Sequence, residues 1–200
     1  MKATDSRSVV RLTALTGILG ALMLAFSYTE KMLTSLLPLP PGVKPGLANI
    51  IVMFACCTAG FGCAFLLTLI KSAFVLLTSG VTAGIISLSG GLLSVTATAF
   101  LIKKAVGRFS FTGISVLGAL AHNAGQTLAA CAVIGSFGYL YYFPVLVISA
   151  VVTGAVTGTI LRCVLPPLKK LGLFDSFVND GNNKKQHNNN DKSNYQETEG

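Results

Sequence analysis

The sequence predicts an all-α integral membrane protein with six transmembrane helices and both termini in the cytoplasm. Three observations predict it. Hydrophobic residues make up 52% of the chain and charged ones only 11%, where a soluble domain carries about a quarter charged; the mean hydropathy is +0.69. The charges also leave long gaps: Lys71 is the only one between Lys44 and Lys103, and none lies between Arg108 and Arg162. A helix crossing a bilayer needs about 20 apolar residues, so these gaps are long enough for spans. The third observation is the distribution of Lys and Arg, which decides the number of spans.

A polar start, 1–8, precedes a six-helix membrane domain over 9–171, and a tail follows over 172–200. The first span covers 9–29, "VVRLTALTGILGALMLAFSYT". A proline-rich loop follows at 37–46, "LPLPPGVKPG", whose four prolines forbid regular helix. The second span covers 47–70. Residues 72–102, between Lys71 and Lys103, would make a single helix of about 46 Å, longer than a hydrocarbon core of about 30 Å. Gly90-Gly91 interrupts that stretch. Further spans cover 112–137 and 143–165. From about 174 the chain turns polar and asparagine-rich, the composition of a disordered tail.

Cytoplasmic loops carry the excess of Lys and Arg. If 72–102 goes out and returns, all but Lys31 and Lys44 of the fifteen basic residues lie on the cytoplasmic side. Either orientation of a five-span chain separates the charges less well. Residues 72–102 therefore hold the third and fourth spans, as two short helices or as a re-entrant hairpin with Gly90-Gly91 at its tip. The first span has the basic start of a secretory signal. It lacks a clear A-x-A cleavage site, and its removal would leave an odd number of spans. These features predict a multi-pass protein of a plasma membrane, of bacterial type. The net charge of +8 then reflects topology rather than nucleic-acid binding, and places cations where anionic lipid would meet them.

The chemistry is narrowed by what the sequence lacks. None of the seven acids falls inside an expected span, which argues against paired carboxylates and acidic proton relays. There is no Walker A pattern and no aspartate-rich run of the DDxxD type for a metal–diphosphate complex. The five cysteines, Cys56, Cys57, Cys63, Cys131 and Cys163, lie in or beside apolar spans without metal-ligand spacing, and read as packing residues. No metal, no cofactor and no catalytic residue is expected. A polar but nearly uncharged membrane interior favours binding or passage of a small molecule.

The stretch 118–126, "GALAHNAGQ", holds the densest polar cluster. On a helix over 112–137, Ser115, Ala119, His122 and Gln126 share a face, with Asn123 one step round. His122 falls about 15–20 Å along that helix, near mid-membrane. Imidazole and amides there are costly unless paired or facing a wet cavity. They line a ligand pocket, or they hydrogen-bond neighbouring helices as interhelical glue. Asn49 and Lys44 flank the start of the second span, where free N–H groups favour an anion; alternatively Asn49 only solvates a helix end. Gly90 and Gly91, among Ser87, Ser89 and Ser94, form a broken helix lining a cavity or a plain outer turn. Small residues at four-residue spacing, Gly17, Ala21 and Ala25 in the first span and Ala150, Gly154 and Gly158 in the last, mark packing faces. They pack the protein's own helices or dock another membrane subunit.

Four stretches in order, "LPPGVKPGLANI", "LSGGLLS", "FSFTGISVLGALAHNAGQ" and "YYFPVL", resemble the pattern of the Gx transporter family, also labelled heptaprenyl diphosphate synthase component I. The resemblance covers about residues 9–166. It implies a six-helix fold similar to the substrate-binding subunits of energy-coupling-factor transporters, which capture scarce small molecules from outside and dock on a partner module. By that likeness Gly17, Ala21 and Ala25 become partner-docking candidates, and Asn49, His122, Asn123 and Gln126 pocket candidates. The function expected is a transport subunit for a vitamin-, cofactor- or isoprenoid/quinone-related solute. The alternative is a non-catalytic membrane component of a prenyl diphosphate or quinone synthesis assembly.

Overall fold

The computed structural model describes residues 3–36, 46–105 and 110–170. They form six α-helices and one 3-10 turn: α1 Ala3–Leu36, α2 Leu47–Thr58, α3 Phe61–Ser79, α4 Val81–Ala105, α5 Phe111–Ile134, η1 Phe137–Tyr142 and α6 Phe143–Lys170. Among the described residues, five helical stretches are long and apolar enough to cross a membrane: Val9–Leu36, Phe61–Ser79, Val81–Lys104, Phe111–Ile134 and Phe137–Pro167. The protein is thus an all-α, multi-pass membrane protein. Its outer surface is lined by large apolar side chains such as Ile18, Leu77, Phe100, Leu128 and Ile148, as contact with lipid tails requires.

The short helix is the second, not the third or fourth. At 12 residues, α2 is about 18 Å long, well under a hydrocarbon core of about 30 Å. The expected span 47–70 breaks at Ala59-Gly60, and the expected break at Gly90-Gly91 does not occur. Both of those glycines lie inside α4, and the turn before it is at Gly80. Gly60 and Gly80 have φ of 88° and 91° with ψ near 180°, a region open only to glycine. The adjacent pair instead serves close packing. A Cβ on Gly91 would come within 2.5 Å of Thr68 Cγ2, and one on Gly90 would collide with Gln126 Cγ.

Two further boundaries move. Apolar spacing continues past Thr29 through Met32, Leu33 and Leu36, so α1 runs on to Leu36 and carries Glu30 within it. Thr29 and Thr34 return their hydroxyls to the carbonyls of Ala25 and Glu30 at 2.9 and 2.8 Å, so they need no solvent. Lys71, expected in a cytoplasmic loop, lies inside α3.

Neighbour contacts set the directions. Thr16 of α1 meets Cys63 of α3 at 3.3 Å, and Lys31 donates to the Thr78 carbonyl, so α1 and α3 run parallel. α4, α5 and α6 then alternate: Ser94 donates to the Gly118 carbonyl at 2.9 Å, and Asn123 donates to the Leu146 carbonyl at 2.8 Å. Arg11, Lys103, Lys104 and Arg162 consequently gather at one end, all exposed; Lys104 lies 4.8 Å above the Phe100 ring. The start of α1 and the finish of α6 share this basic end.

α2 sits among the others, against α1, α3, α4 and α6. Its Ala48, Ile51, Ala55 and Cys56 pack with Leu19 and Met23 of α1, Ala64 and Leu67 of α3, and Val95 of α4. On another side Ile50 and Met53 pack with Ile114, Leu161 and Leu165. The glycines of α6 close the contact with α5: a Cβ on Gly154 would fall 2.6 Å from Val116 Cα, and one on Gly158 would collide with Thr112 Cα. This small-residue face therefore packs the protein's own helices. The other face does not, since Gly17, Ala21 and Ala25 are exposed and a Cβ on Gly17 would meet nothing within 4 Å. The five cysteines are all free thiols.

Candidate functional site

Because α2 is short, it does not fill the bundle toward the end remote from the basic residues. A cavity of about 210 Å³ occupies that space, with Gly46 and Asn49 at the helix start forming part of its wall. α1 contributes Ser27, Glu30 and Lys31; α3 contributes Lys71; α5 contributes His122, Asn123 and Gln126. A narrow extension of about 40 Å³ continues toward the basic end, sharing Asn49, Lys71 and His122 with the larger space. Its deeper wall carries hydroxyls from Thr68, Ser94, Thr98, Ser115 and Thr157. That volume suffices for one to a few waters. Ser115 Oγ is buried there and has no hydrogen-bond partner among the described residues.

Charge is concentrated at the α2 start. Lys71 Nζ donates to Asn49 Oδ1 at 2.7 Å. The Ala48 N–H donates to Glu30 Oε1 at 3.1 Å, where Glu30 is buried at 5% exposure. A carboxylate beside the first-turn N–H groups is favoured by the positive end of the helix dipole. The absence of acids from the spans is thereby corrected: Glu30 is within the first one. It is a single carboxylate, and no group of three or more His, Cys, Asp or Glu among the described residues is arranged to hold a metal.

The sequence-derived candidates divide. Asn49, His122, Asn123 and Gln126 converge on the larger cavity, and Ser115 and Gly91 on its extension. Asn123 also ties α5 to α6 through the Leu146 carbonyl, so for this residue the pocket and glue readings both apply. Gly90 forms no loop and lines neither space; it lets α4 approach α5, with the Gly90 Cα 3.0 Å from where a Gly125 Cβ would stand. Lys44 lies outside the described residues.

Glu30, Lys31 and Lys71 escaped the sequence reading. Lys71 carried a usable signal, since it stands among Leu69, Ile70, Ala73 and Phe74 with no glycine or proline between Gly62 and Gly80. An isolated cation in an apolar run is a mark of an intramembrane functional group. For Glu30 the signal was the helical apolar spacing beyond Thr29.

The fold and cavity define a class: a multi-pass helical membrane protein with a polar, cation-bearing pocket inside its bundle. The chain matches the model of the heptaprenyl diphosphate synthase component I family over residues 19–164, and it belongs to that family. No curated protein and no solved structure matches the chain.

Proposed function

We propose that this chain is a membrane-embedded binding subunit that takes a small anionic ligand into the cavity above α2 and works with a partner that supplies the chemistry or the energy. The observation that carries this reading is Lys71, held by Asn49 inside a membrane helix and facing the same space as His122, Asn123 and Gln126. An ammonium at that depth is costly, and a pocket for an anion gives it a use.

Two roles suit such a subunit. Family membership favours the first, a non-catalytic membrane component of a prenyl diphosphate synthesis assembly. The second is a transport subunit, and the position of the cavity favours it. With the basic end taken as cytoplasmic, and with α2 counted as a sixth, shortened span, both termini lie inside and the cavity lies toward the outside. Lys71 then leaves the cytoplasmic group and becomes part of the site. The exposed Gly17, Ala21 and Ala25 face suits docking of a partner helix in either role.

Mass spectrometry of small molecules retained by the full chain in mild detergent tests the binding reading. An anion should be retained by wild type and lost in Lys71→Met. Equal retention by both proteins would overturn the reading. Co-purification with a soluble prenyl synthase supports the first role, whereas solute uptake that requires an added energy-coupling module supports the second.

A further inference from the structure

The start of α2 holds two opposite charges side by side. The Ala48 N–H donates to Glu30 Oε1 at 3.1 Å, and Asn49 Oδ1 accepts from Lys71 Nζ at 2.7 Å. Ala48 and Asn49 are successive residues, so α2 brings a carboxylate from α1 and an ammonium from α3 to the wall of one cavity. An anion in that cavity gives Lys71 a use but gives Glu30 none. Capping alone does not require the Glu30 charge. Gly46, just before α2, supplies no side-chain acceptor, and a neutral amide oxygen on α1 would satisfy the same N–H. A carboxylate within a membrane span is costly, and Glu30 lies inside Val9–Leu36, buried.

Glu30 can accept more than it does from Ala48. An ionised carboxylate offers about four lone-pair sites, and the Ala48 N–H takes one. The size of the space limits what else could reach it. A volume of about 210 Å³ equals the liquid share of about seven waters, room for a molecule of about that many non-hydrogen atoms. Phe74 and Val75 in the wall suit a short methylene link. Charge narrows the ligand further. Among the described lining residues Lys31 and Lys71 stand with Glu30, two cations and one anion. A phosphate monoester carries about −1.5 to −2 at neutral pH. One ammonium on the same molecule brings its total to about −1, the complement of the cavity.

We propose, resting on the binding role above, that the ligand is a small zwitterion of net negative charge, a short aminoalkyl phosphate. Its phosphate lies near Lys71 and Lys31, and its ammonium pairs with Glu30. Each buried charge at the α2 start then has a counterpart on one molecule. The same chemistry is offered by a free solute and by the headgroup of phosphatidylethanolamine.

The test uses the full chain in an uncharged mild detergent, titrated calorimetrically with 2-aminoethyl phosphate and with propyl phosphate. These two probes have nearly the same shape and differ by an ammonium in place of a methyl group. Wild type should bind the aminoethyl compound at least about tenfold more tightly, the scale of one hydrogen bond between charged groups. Glu30→Gln should move the two affinities in opposite directions. It removes the partner of the ammonium, which weakens 2-aminoethyl phosphate, and it removes a repelling anion, which strengthens propyl phosphate. Lys71→Met should weaken both. Added phosphatidylethanolamine, with phosphatidylglycerol as control, separates the sources: competition assigns the site to the lipid headgroup, and none assigns it to a free solute. Equal wild-type affinity for the two probes, or a preference that survives in Glu30→Gln, overturns the zwitterion and leaves the small-anion role standing. Equal weakening of both probes by Glu30→Gln also overturns it, since Glu30 then only shapes the α2 start. No binding of either probe by folded wild type overturns both readings.

Discussion

The two halves of the bundle are built on opposite principles. α4, α5 and α6 approach backbone to backbone, with Gly125 against Gly90, Gly154 against Val116 and Gly158 against Thr112. α1, α2 and α3 instead keep ionisable side chains between them: Glu30 at the start of α2, Lys71 against Asn49 and Lys31 against the Thr78 carbonyl. Without a hydrophobic drive between helices in lipid, close van der Waals packing at small residues holds one half together. The other half sets polar groups around a gap left by a short helix. The cavity lies where they meet, with cations from α1 and α3 opposite His122, Asn123 and Gln126 of α5.

The sharpest way to break the packed half is Gly158→Val. Its Cβ would run into the Thr112 backbone, which cannot rotate away as a side chain does. Overpacking of this kind costs about 1–3 kcal/mol, occasionally more. Thermal unfolding in detergent should show a clear loss of stability, and an unchanged transition would mean that the α5–α6 contact is looser than described.

Lys71→Met probes the polar half. Losing a hydrogen bond to a charged group is worth about 1.5–3 kcal/mol, so retention of an anionic ligand should fall at least about tenfold, while for unfolding the lost bond to Asn49 is offset by removing a costly ammonium from the membrane interior. Glu30→Gln should act more weakly. It keeps an acceptor for the Ala48 N–H but removes the charge at the helix start, a loss of about 0.3–1 kcal/mol. A stability change above that range would assign Glu30 a larger role than capping α2.

The smallest loss belongs to Gly17→Ala. Nothing lies within 4 Å of the added methyl, so the isolated chain should lose no stability, and the helix preference for Ala over Gly would raise it by at most about 1 kcal/mol. If that variant were as damaging as Gly158→Val, the contrast between an open α1 face and a filled α6 face would be lost.

Composition and charge gaps were enough to establish a helical membrane protein, because burying backbone in lipid leaves few alternatives to helices. Spacing on one helix was enough to bring Ser115, His122 and Gln126 to one side, since a 3.6-residue period is a local property. The glycines show where local reasoning ended. Gly90-Gly91 reads as the stronger breaker, yet the breaks fall at the single residues Gly60 and Gly80. A glycine serves a turn or a close approach, and only the neighbouring helix decides which: Thr68 and Gln126 occupy the space that Cβ atoms at 91 and 90 would need.

The sequence by itself determined the solvent of this protein, the helical class and the polar face of α5, all of which follow from composition and short-range period. Only the tertiary structure decided that α2 is the short helix and that Lys71 and Glu30 face its start. Those outcomes depend on which helices run parallel and how closely they approach, and the one-dimensional pattern holds neither distance.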